Sequence, residues 1–284
     1  MNDRIPPWIR RTLSPVSASS KIFRNTYAKG LHTVCKEARC PNRWECESRG
    51  TATFLILGDR CTRNCVFCAV RHGNPVSPHS EEPELVAASI ANLRLSHAVV
   101  TSVTRDDLPD GGASVFAQTI GAIRKKSPET TIEVLIPDFQ GCKDALRMVV
   151  EARPEVINHN METVQRLYPV LRSAASYSRS LELLQRVASA GIIAKSGIMV
   201  GVGETREEII ELMSHLARVG CSVLTIGQYL QPSKKHIPVI RYFTVEEFLE
   251  LKELALEEGL KTVVSGPLVR SSYKSAEMLR ELAG

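Results

Sequence analysis

The stretch Thr53-Phe54-Leu55-Ile56-Leu57-Gly58-Asp59-Arg60-Cys61-Thr62-Arg63-Asn64-Cys65-Val66-Phe67-Cys68 decides the fold and points to the chemistry. Thr53–Leu57 is a short continuous apolar run, as expected of a strand covered on both faces. The loop that leaves its C-terminal end carries three cysteines spaced C-x3-C-x2-C. Arg63 and Asn64 make that loop polar, which argues against buried thiols. A closed zinc site takes four nitrogen or sulfur ligands, and an ordinary iron–sulfur cubane takes four cysteines. Three thiolates would hold a cubane by three irons and leave the fourth open, and an open metal site can carry chemistry. Zinc would need a fourth ligand, for which His72 is the nearest candidate. Thiolate sulfur also suits an iron–sulfur cluster, the preferred reading here.

Outward from this stretch, apolar runs alternate with helical patterns. Candidate strands are Thr53–Leu57, Ala98–Val103, Thr131–Ile136, Val156–Asn158, Ala194–Val200 and Val223–Gln228, with a further apolar run at Thr262–Val264. Between them lie a helix begun by Pro83 with Leu85, Ala88, Ile90 and Leu93 near 3.6 spacing, then Val115–Lys126, Lys143–Ala152, Ser180–Ala190 and Glu207–Val219. The last two stop at Gly191 and Gly220. A final one runs Val245–Glu258 behind Thr244, with Glu247 completing a capping box. Strand–helix alternation predicts an α/β fold with a parallel sheet. Periodicity does not separate a barrel from a doubly wound sheet. The cysteine loop at the C-terminal end of the first strand favours the barrel, whose active face lies there. Three regions follow: an extension at 1–50, a central unit at 51–265 and a tail at 266–284.

Composition narrows the function. The formal charge of +5 is spread out and aromatics are only 5%, too thin for base stacking, so nucleic acid is not the expected partner. No run of eighteen apolar residues appears and no secretory signal is visible, so no membrane span is expected. Residues 1–24 are basic and faintly like a transit peptide, but Pro6, Pro7 and Pro15 oppose the helix such peptides form. Six of the eight cysteines fall between positions 35 and 68, too clustered for a disulfide scaffold. They suggest metal binding in a reducing, cytoplasmic setting. Cys142 and Cys221 stand apart, at the start of a helix and of a strand, and read as small buried residues.

The second triplet is Cys35-x4-Cys40-x5-Cys46, in a polar stretch that cannot form a core; a second cluster or a zinc site is expected there. Gly201-Val202-Gly203-Glu204 lacks the third glycine of a dinucleotide loop. It reads as a turn that lets backbone approach a bound nucleoside. Asp106-Asp107…Asp110-Gly111-Gly112 does not fit an EF-hand and reads as a tight loop on the active face. His159 and Glu162 follow the fourth strand, either contacting a ligand or shaping the loop.

The spacing of Cys61, Cys65 and Cys68, with Phe67 before the last, resembles the signature of radical S-adenosylmethionine (SAM) enzymes. Within that superfamily the chain resembles the lipoyl synthase family, on His32–Cys35, Ala38–Cys46, Gly58–Arg63, Thr101–Gly112, Asn158–Thr163, Gly201–Thr205, Gln228–Ser233 and Arg270-Ser271-Ser272-Tyr273. Small departures are Thr104, where an acidic residue is more familiar, and Met161 at a β-branched position.

The resemblance implies a partial barrel of six βα units, TIM-like, with cluster-binding extensions at both ends and two [4Fe–4S] clusters. Cys61, Cys65 and Cys68 would hold the SAM-cleaving cluster. Cys35, Cys40 and Cys46 would hold an auxiliary cluster with Ser272 as fourth ligand and catalytic residue, Ser271 being the runner-up. On sequence alone these serines would instead cap a helix at Lys274–Leu282. SAM contacts are expected from Phe67, Thr101 and Glu162. The implied reaction is sulfurtransfer: two sulfur atoms enter C6 and C8 of an octanoyl-lysine on a carrier, after a 5′-deoxyadenosyl radical abstracts hydrogen. Implied partners are octanoylated lipoyl domains (2-oxoacid dehydrogenase E2 subunits and the glycine cleavage H protein), a flavodoxin or ferredoxin reductant, and an iron–sulfur carrier. Two alternatives stand beside it: another sulfur-inserting radical SAM enzyme, of biotin synthase or tRNA methylthiotransferase type, and a zinc-stabilised interaction module.

Overall fold

The computed structural model describes residues 6–9, 30–38, 40, 42, 45, 46 and 53–283. Most of the basic 1–24 stretch, Pro41, Arg43, Trp44 and the 50/51 boundary lie outside them. Two sheets form. The larger has eight strands in the order β1 (His32–Thr33), β2 (Thr53–Ile56), β5 (His97–Ser102), β6 (Thr131–Leu135), β7 (Val156–Asn158), β8 (Ile193–Val200), β9 (Val223–Gln228) and β10 (Thr262–Gly266). The smaller pairs β3 (Arg60–Cys61) with β4 (Arg71–His72).

From β2 to β10 every neighbour is parallel, and spatial order follows chain order without reversal. A doubly wound sheet reverses at a switch point, so that alternative falls. The expected α/β fold with a parallel sheet holds, with two additions. The run at Thr262–Val264 is a seventh parallel strand, on β9. The N-terminal extension adds β1 antiparallel to β2, with His32 opposite Leu55.

The sheet curls. Leu55, Thr101, Leu135, Gly197 and Thr225, from β2, β5, β6, β8 and β9, all line one cavity. With strands about 4.8 Å apart, a flat sheet would hold Leu55 and Thr225 roughly 24 Å apart. Helices cover the outer face. Thr205 and Thr244 start two of them (Arg206–Arg218 and Val245–Glu257) with complete capping boxes to Glu208 and Glu247. On the helix Glu82–Leu93 the buried face is Val86, Ala87 and Ile90; Leu85, Ala88 and Leu93 of the expected stripe are only half-buried. Among the described residues no helix is long and apolar enough to cross a membrane.

Candidate metal and cofactor site

Strand β2 delivers the first cysteine loop through a forced turn. Leu57 adopts φ 68°, costly for a side chain with a Cβ. Its N–H donates to Glu82 Oε2 at 2.8 Å, and Arg105, 1% exposed, donates to its carbonyl at 3.2 Å. Gly112 allows this packing, since a Cβ there would lie 2.3 Å from Leu57 Cδ1. The Asp106–Gly112 loop is therefore a tight turn with structural work: Asp107 pairs Arg105, and Asp110 accepts from Gly112 and Ser114 N–H.

Cys61, Cys65 and Cys68 all line the cavity of about 340 Å3. Cys61 Sγ accepts from the backbone N–H of Arg63 at 3.4 Å and of Thr104 at 3.3 Å. Cys68 N–H donates to Cys65 O at 3.0 Å, and His236 Nε2 holds the Cys68 carbonyl at 3.0 Å. Burial pushes the Cys68 thiol up to about 12, and the neighbouring sulfurs push the same way. Three crowded thiolates thus call for positive charge. A cubane takes one thiolate per iron, a donor set that three cysteines in one loop can supply. His72 is exposed and does not line the cavity, so it is not the fourth ligand.

Arg63 fastens the loop. Its Nε and Nη2 donate to Asp106 at 2.6 and 2.9 Å, and Nη2 also donates to Asp138 Oδ1 at 2.6 Å. Arg179 reaches the other Asp138 oxygen at 3.1 Å. Burial alone would raise the Asp138 carboxyl, but the Arg63 guanidinium outweighs it and holds the group at about 2, against an ordinary 3.8. Because the folded value is depressed, this stabilisation is complete above about pH 4 and is lost as pH falls toward 2. It amounts to roughly 2–3 kcal/mol. Chemical denaturation should therefore show the wild-type advantage over Asp138→Asn shrinking between pH 4 and pH 2. An advantage that persists unchanged at pH 2 would contradict the assignment.

The opposite wall is made of Asn160, Glu162 and Arg172. Glu162 holds a left-handed φ of 64°, a strain that functional sites tend to keep. Its carboxyl accepts from Asn160 Nδ2 at 3.0 Å and is raised above the ordinary carboxylate value by burial. Arg172 Nη1 donates to the carbonyls of Asn160 and Met161 at 2.8 and 3.1 Å. Arg172 Nε and Asn160 Oδ1 are buried without a partner, a donor and an acceptor that suit a polar ligand. Phe67 packs with Leu171, Val202 and Tyr229, and Thr101 lines the wall while donating to Leu135 O at 2.8 Å.

Several expectations need correction. His159 is 1% exposed with both ring nitrogens engaged, by Ile136 O at 2.8 Å and Ser180 Oγ at 2.9 Å. Burial lowers it to about 4, so it is neutral; of the two roles expected of it the structural one is seen, and it also borders the larger cavity. The Gly201 turn does not line the cavity; a Cβ there would meet Gln228 Nε2 at 2.2 Å, so it serves packing. The glycine that opens the wall is Gly197, where a Cβ would sit 2.6 Å from Thr225 Oγ1 and 2.8 Å from Asn160 Oδ1. Cys142 is exposed rather than buried, whereas Cys221 is buried with its thiol on the Ala194 and Val223 carbonyls.

A second cavity, about 180 Å3, is lined by Cys35, Cys40, Cys46 and Ser272. This lies below the roughly 300–1,000 Å3 of ordinary ligand pockets, so it suits a compact occupant. Ser272 Oγ accepts from Thr53 Oγ1 at 2.9 Å, and Ser271 Oγ accepts from Asn160 Nδ2 at 2.7 Å. Ser271 lines only the first cavity. The helix that follows starts at Ser275, and neither hydroxyl caps it. The extension and tail are zipped together: Asn42 Nδ2 donates to Leu268 O, and Tyr273 Oη to Glu45 Oε1 at 3.1 Å. Cys35, Cys40, Thr53, Arg270 and Ser272 border both cavities. Sequence reasoning missed Arg172, Gly197 and Arg270 as wall residues. Asn160 lay inside a quoted motif, but Arg172 had no local signal.

Residues 55–216 match the family described as the Radical SAM superfamily. The chain is 53% identical over 277 residues to the lipoyl synthase of Bacteroides fragilis (strain YCH46), covering 98% of this chain and 96% of that protein. It is 51% identical over 279 residues to that of Caldicellulosiruptor saccharolyticus, covering 98% of each. Among solved structures, SuiB of Streptococcus suis bound to S-adenosylmethionine superposes with TM-score 0.60 at 10% identity, over 78% of this chain. This chain spans about half, 53%, of that one. Methylornithine synthase (PylB) superposes with TM-score 0.56 at 14% identity, over 87% of this chain and 85% of that one. Both likenesses concern the fold alone.

Proposed function

This chain belongs to the lipoyl synthase family of the radical SAM superfamily, and from that premise we infer how its two cavities divide the work. The reaction is sulfur insertion at C6 and C8 of an octanoyl group carried on a lysine of a lipoyl carrier protein. SAM and iron–sulfur clusters are its cofactors. Unactivated C–H bonds offer no acidic proton, so general bases cannot start the reaction and a cofactor must. When bound, the groups supply an electron that cleaves SAM to a 5′-deoxyadenosyl radical and, from the second cluster, the sulfur.

The chain's own residues bind and orient. Cys61, Cys65 and Cys68 hold the SAM-cleaving cluster, with Arg63 anchoring their loop to Asp106 and Asp138. Glu162, Asn160 and Arg172 receive the polar end of SAM, Gly197 and Thr101 leave it room, and Phe67 packs behind it. Cys35, Cys40, Cys46 and Ser272 hold the auxiliary cluster. The observation that carries this division is the shared wall: five residues border both cavities, so a substrate held in one would lie beside the group held in the other. The walls fix the octanoyl chain for two successive abstractions.

The carriers in this reading are 2-oxoacid dehydrogenase E2 domains and the glycine cleavage H protein. A flavodoxin or ferredoxin supplies electrons, an iron–sulfur carrier reloads the auxiliary site, and the setting is cytoplasmic. Anaerobic incubation with SAM, reductant and an octanoyl-lysine peptide tests it. The expected product carries two added sulfurs by mass, with about eight iron per chain. Zinc in place of iron, or no added sulfur, overturns the reading.

A further inference from the structure

Inside the curled sheet, four consecutive strands each give one residue to a buried polar group: His97 on β5, Glu133 on β6, Asn158 on β7 and Lys195 on β8. Lys195 Nζ donates to both Glu133 oxygens, at 2.8 and 3.0 Å, and Asn158 Nδ2 donates to Oε1 at 3.2 Å. An ammonium has three donors, so one remains. It goes to Ser275 Oγ at 3.2 Å. The Ser275 hydroxyl in turn donates to Glu133 Oε2, and His97 Nε2 stands 3.1 Å from Ser275 Oγ. Ser275, 5% exposed, is the one member of this group that is not on the sheet.

The tail between Ser272 and Ser275 has little slack. Tyr273 N–H returns to Arg270 O at 2.9 Å, Lys274 is left-handed at φ 55°, and Met278 N–H closes on Lys274 O at 3.1 Å. Three residues of chain span at most about 10 Å. A shift at Ser275 is therefore passed on to Ser272.

We propose that Ser275 is a positioning residue of the auxiliary site: its hydroxyl hooks the tail into the Glu133–Lys195–His97 group and so aims Ser272 at Cys35, Cys40 and Cys46. This rests on Ser272 being the fourth ligand. The sheet side of the hook spans four hydrogen-bonded strands and is rigid; the tail side is one serine. Ser275 and His97 also line the auxiliary cavity, so the hook adjoins the place it controls.

The test uses the full chain with Cys61, Cys65 and Cys68 replaced by alanine, so that only auxiliary iron is present. Into it are placed Ser272→Ala, Ser275→Ala and Ser275→Thr. The electron paramagnetic resonance of the reduced cluster is recorded with and without cyanide, which binds an iron lacking its protein ligand. Ser272→Ala is expected to become cyanide-sensitive, Ser275→Ala to follow it, and Ser275→Thr, which keeps the hydroxyl, to stay like the parent. A Ser275→Ala spectrum identical to the parent, beside a changed Ser272→Ala, overturns the hook. An unchanged Ser272→Ala overturns the ligand assignment instead. Amide exchange is the second measurement: in Ser275→Ala, residues 268–275 should exchange at least about tenfold faster while β5–β8 stay protected. Loss of protection throughout would make Ser275 a stability residue and sink the proposal.

Discussion

Cys68→Ala is expected to abolish SAM cleavage while leaving about four of about eight iron atoms on the chain. The thiol has no substitute. Cys65 and Cys61 already line the same cavity, Cys142 is exposed on the helix side, and the Cys221 thiol is committed to the carbonyls of Ala194 and Val223. Two thiolates cannot hold a cubane that needs three, so the electron source is lost with the cluster. The fall should exceed about a thousandfold, or roughly 4 kcal/mol of barrier. Formation of 5′-deoxyadenosine, followed by chromatography, is the check, alongside iron content. Retained cleavage would falsify the assignment of this loop.

The second large effect belongs to Ser272→Ala, which should leave SAM cleavage near the wild-type rate and reduce sulfur insertion by at least about a hundredfold. Ser272 stands with Cys35, Cys40 and Cys46 around the smaller cavity, whereas Ser271 is turned to Asn160 on the other side. A hydroxyl oxygen is a harder donor than thiolate and binds iron less firmly. Such a weak fourth bond suits a cluster that must surrender sulfur. Parallel measurement of 5′-deoxyadenosine and of sulfur added to the octanoyl peptide separates the two functions. If product forms normally in Ser272→Ala and fails in Ser271→Ala, the ligand is the other serine.

How far the sequence alone reached depended on whether a feature was local. Thr53–Leu57 and the cysteines behind it are contiguous, so strand and loop could be read together. The parallel sheet was legible for the same reason, each strand being a short apolar run. Other features depend on residues far apart. Arg172 meets Asn160 only because a turn beyond β7 folds back, and Gly197 matters only because Thr225 and Asn160 press on it. Nothing in a 3.6- or 2-residue period marks either. His159 stood open between contacting a ligand and shaping the loop; burial keeps it neutral and two bonds engage its ring. The Gly201 turn misled, since packing against Gln228 and nucleoside binding both call for glycine.

The zipped contact between the extension and the tail has a consequence for biosynthesis. Asn42 and Leu268 are 226 residues apart, and Glu45 and Tyr273 are 228 apart. A ribosome moving at about 5–20 residues per second needs roughly 10–45 s between making one partner and the other. Throughout that interval Cys35, Cys40 and Cys46 are present without the wall that Ser272 provides. The first cysteine loop gets its Arg63 anchor from Asp106 and Asp138, just after β5 and β6, and its His236 contact much later in the chain. Under the ligand assignment proposed above, the auxiliary site is complete only once translation has passed Ser272.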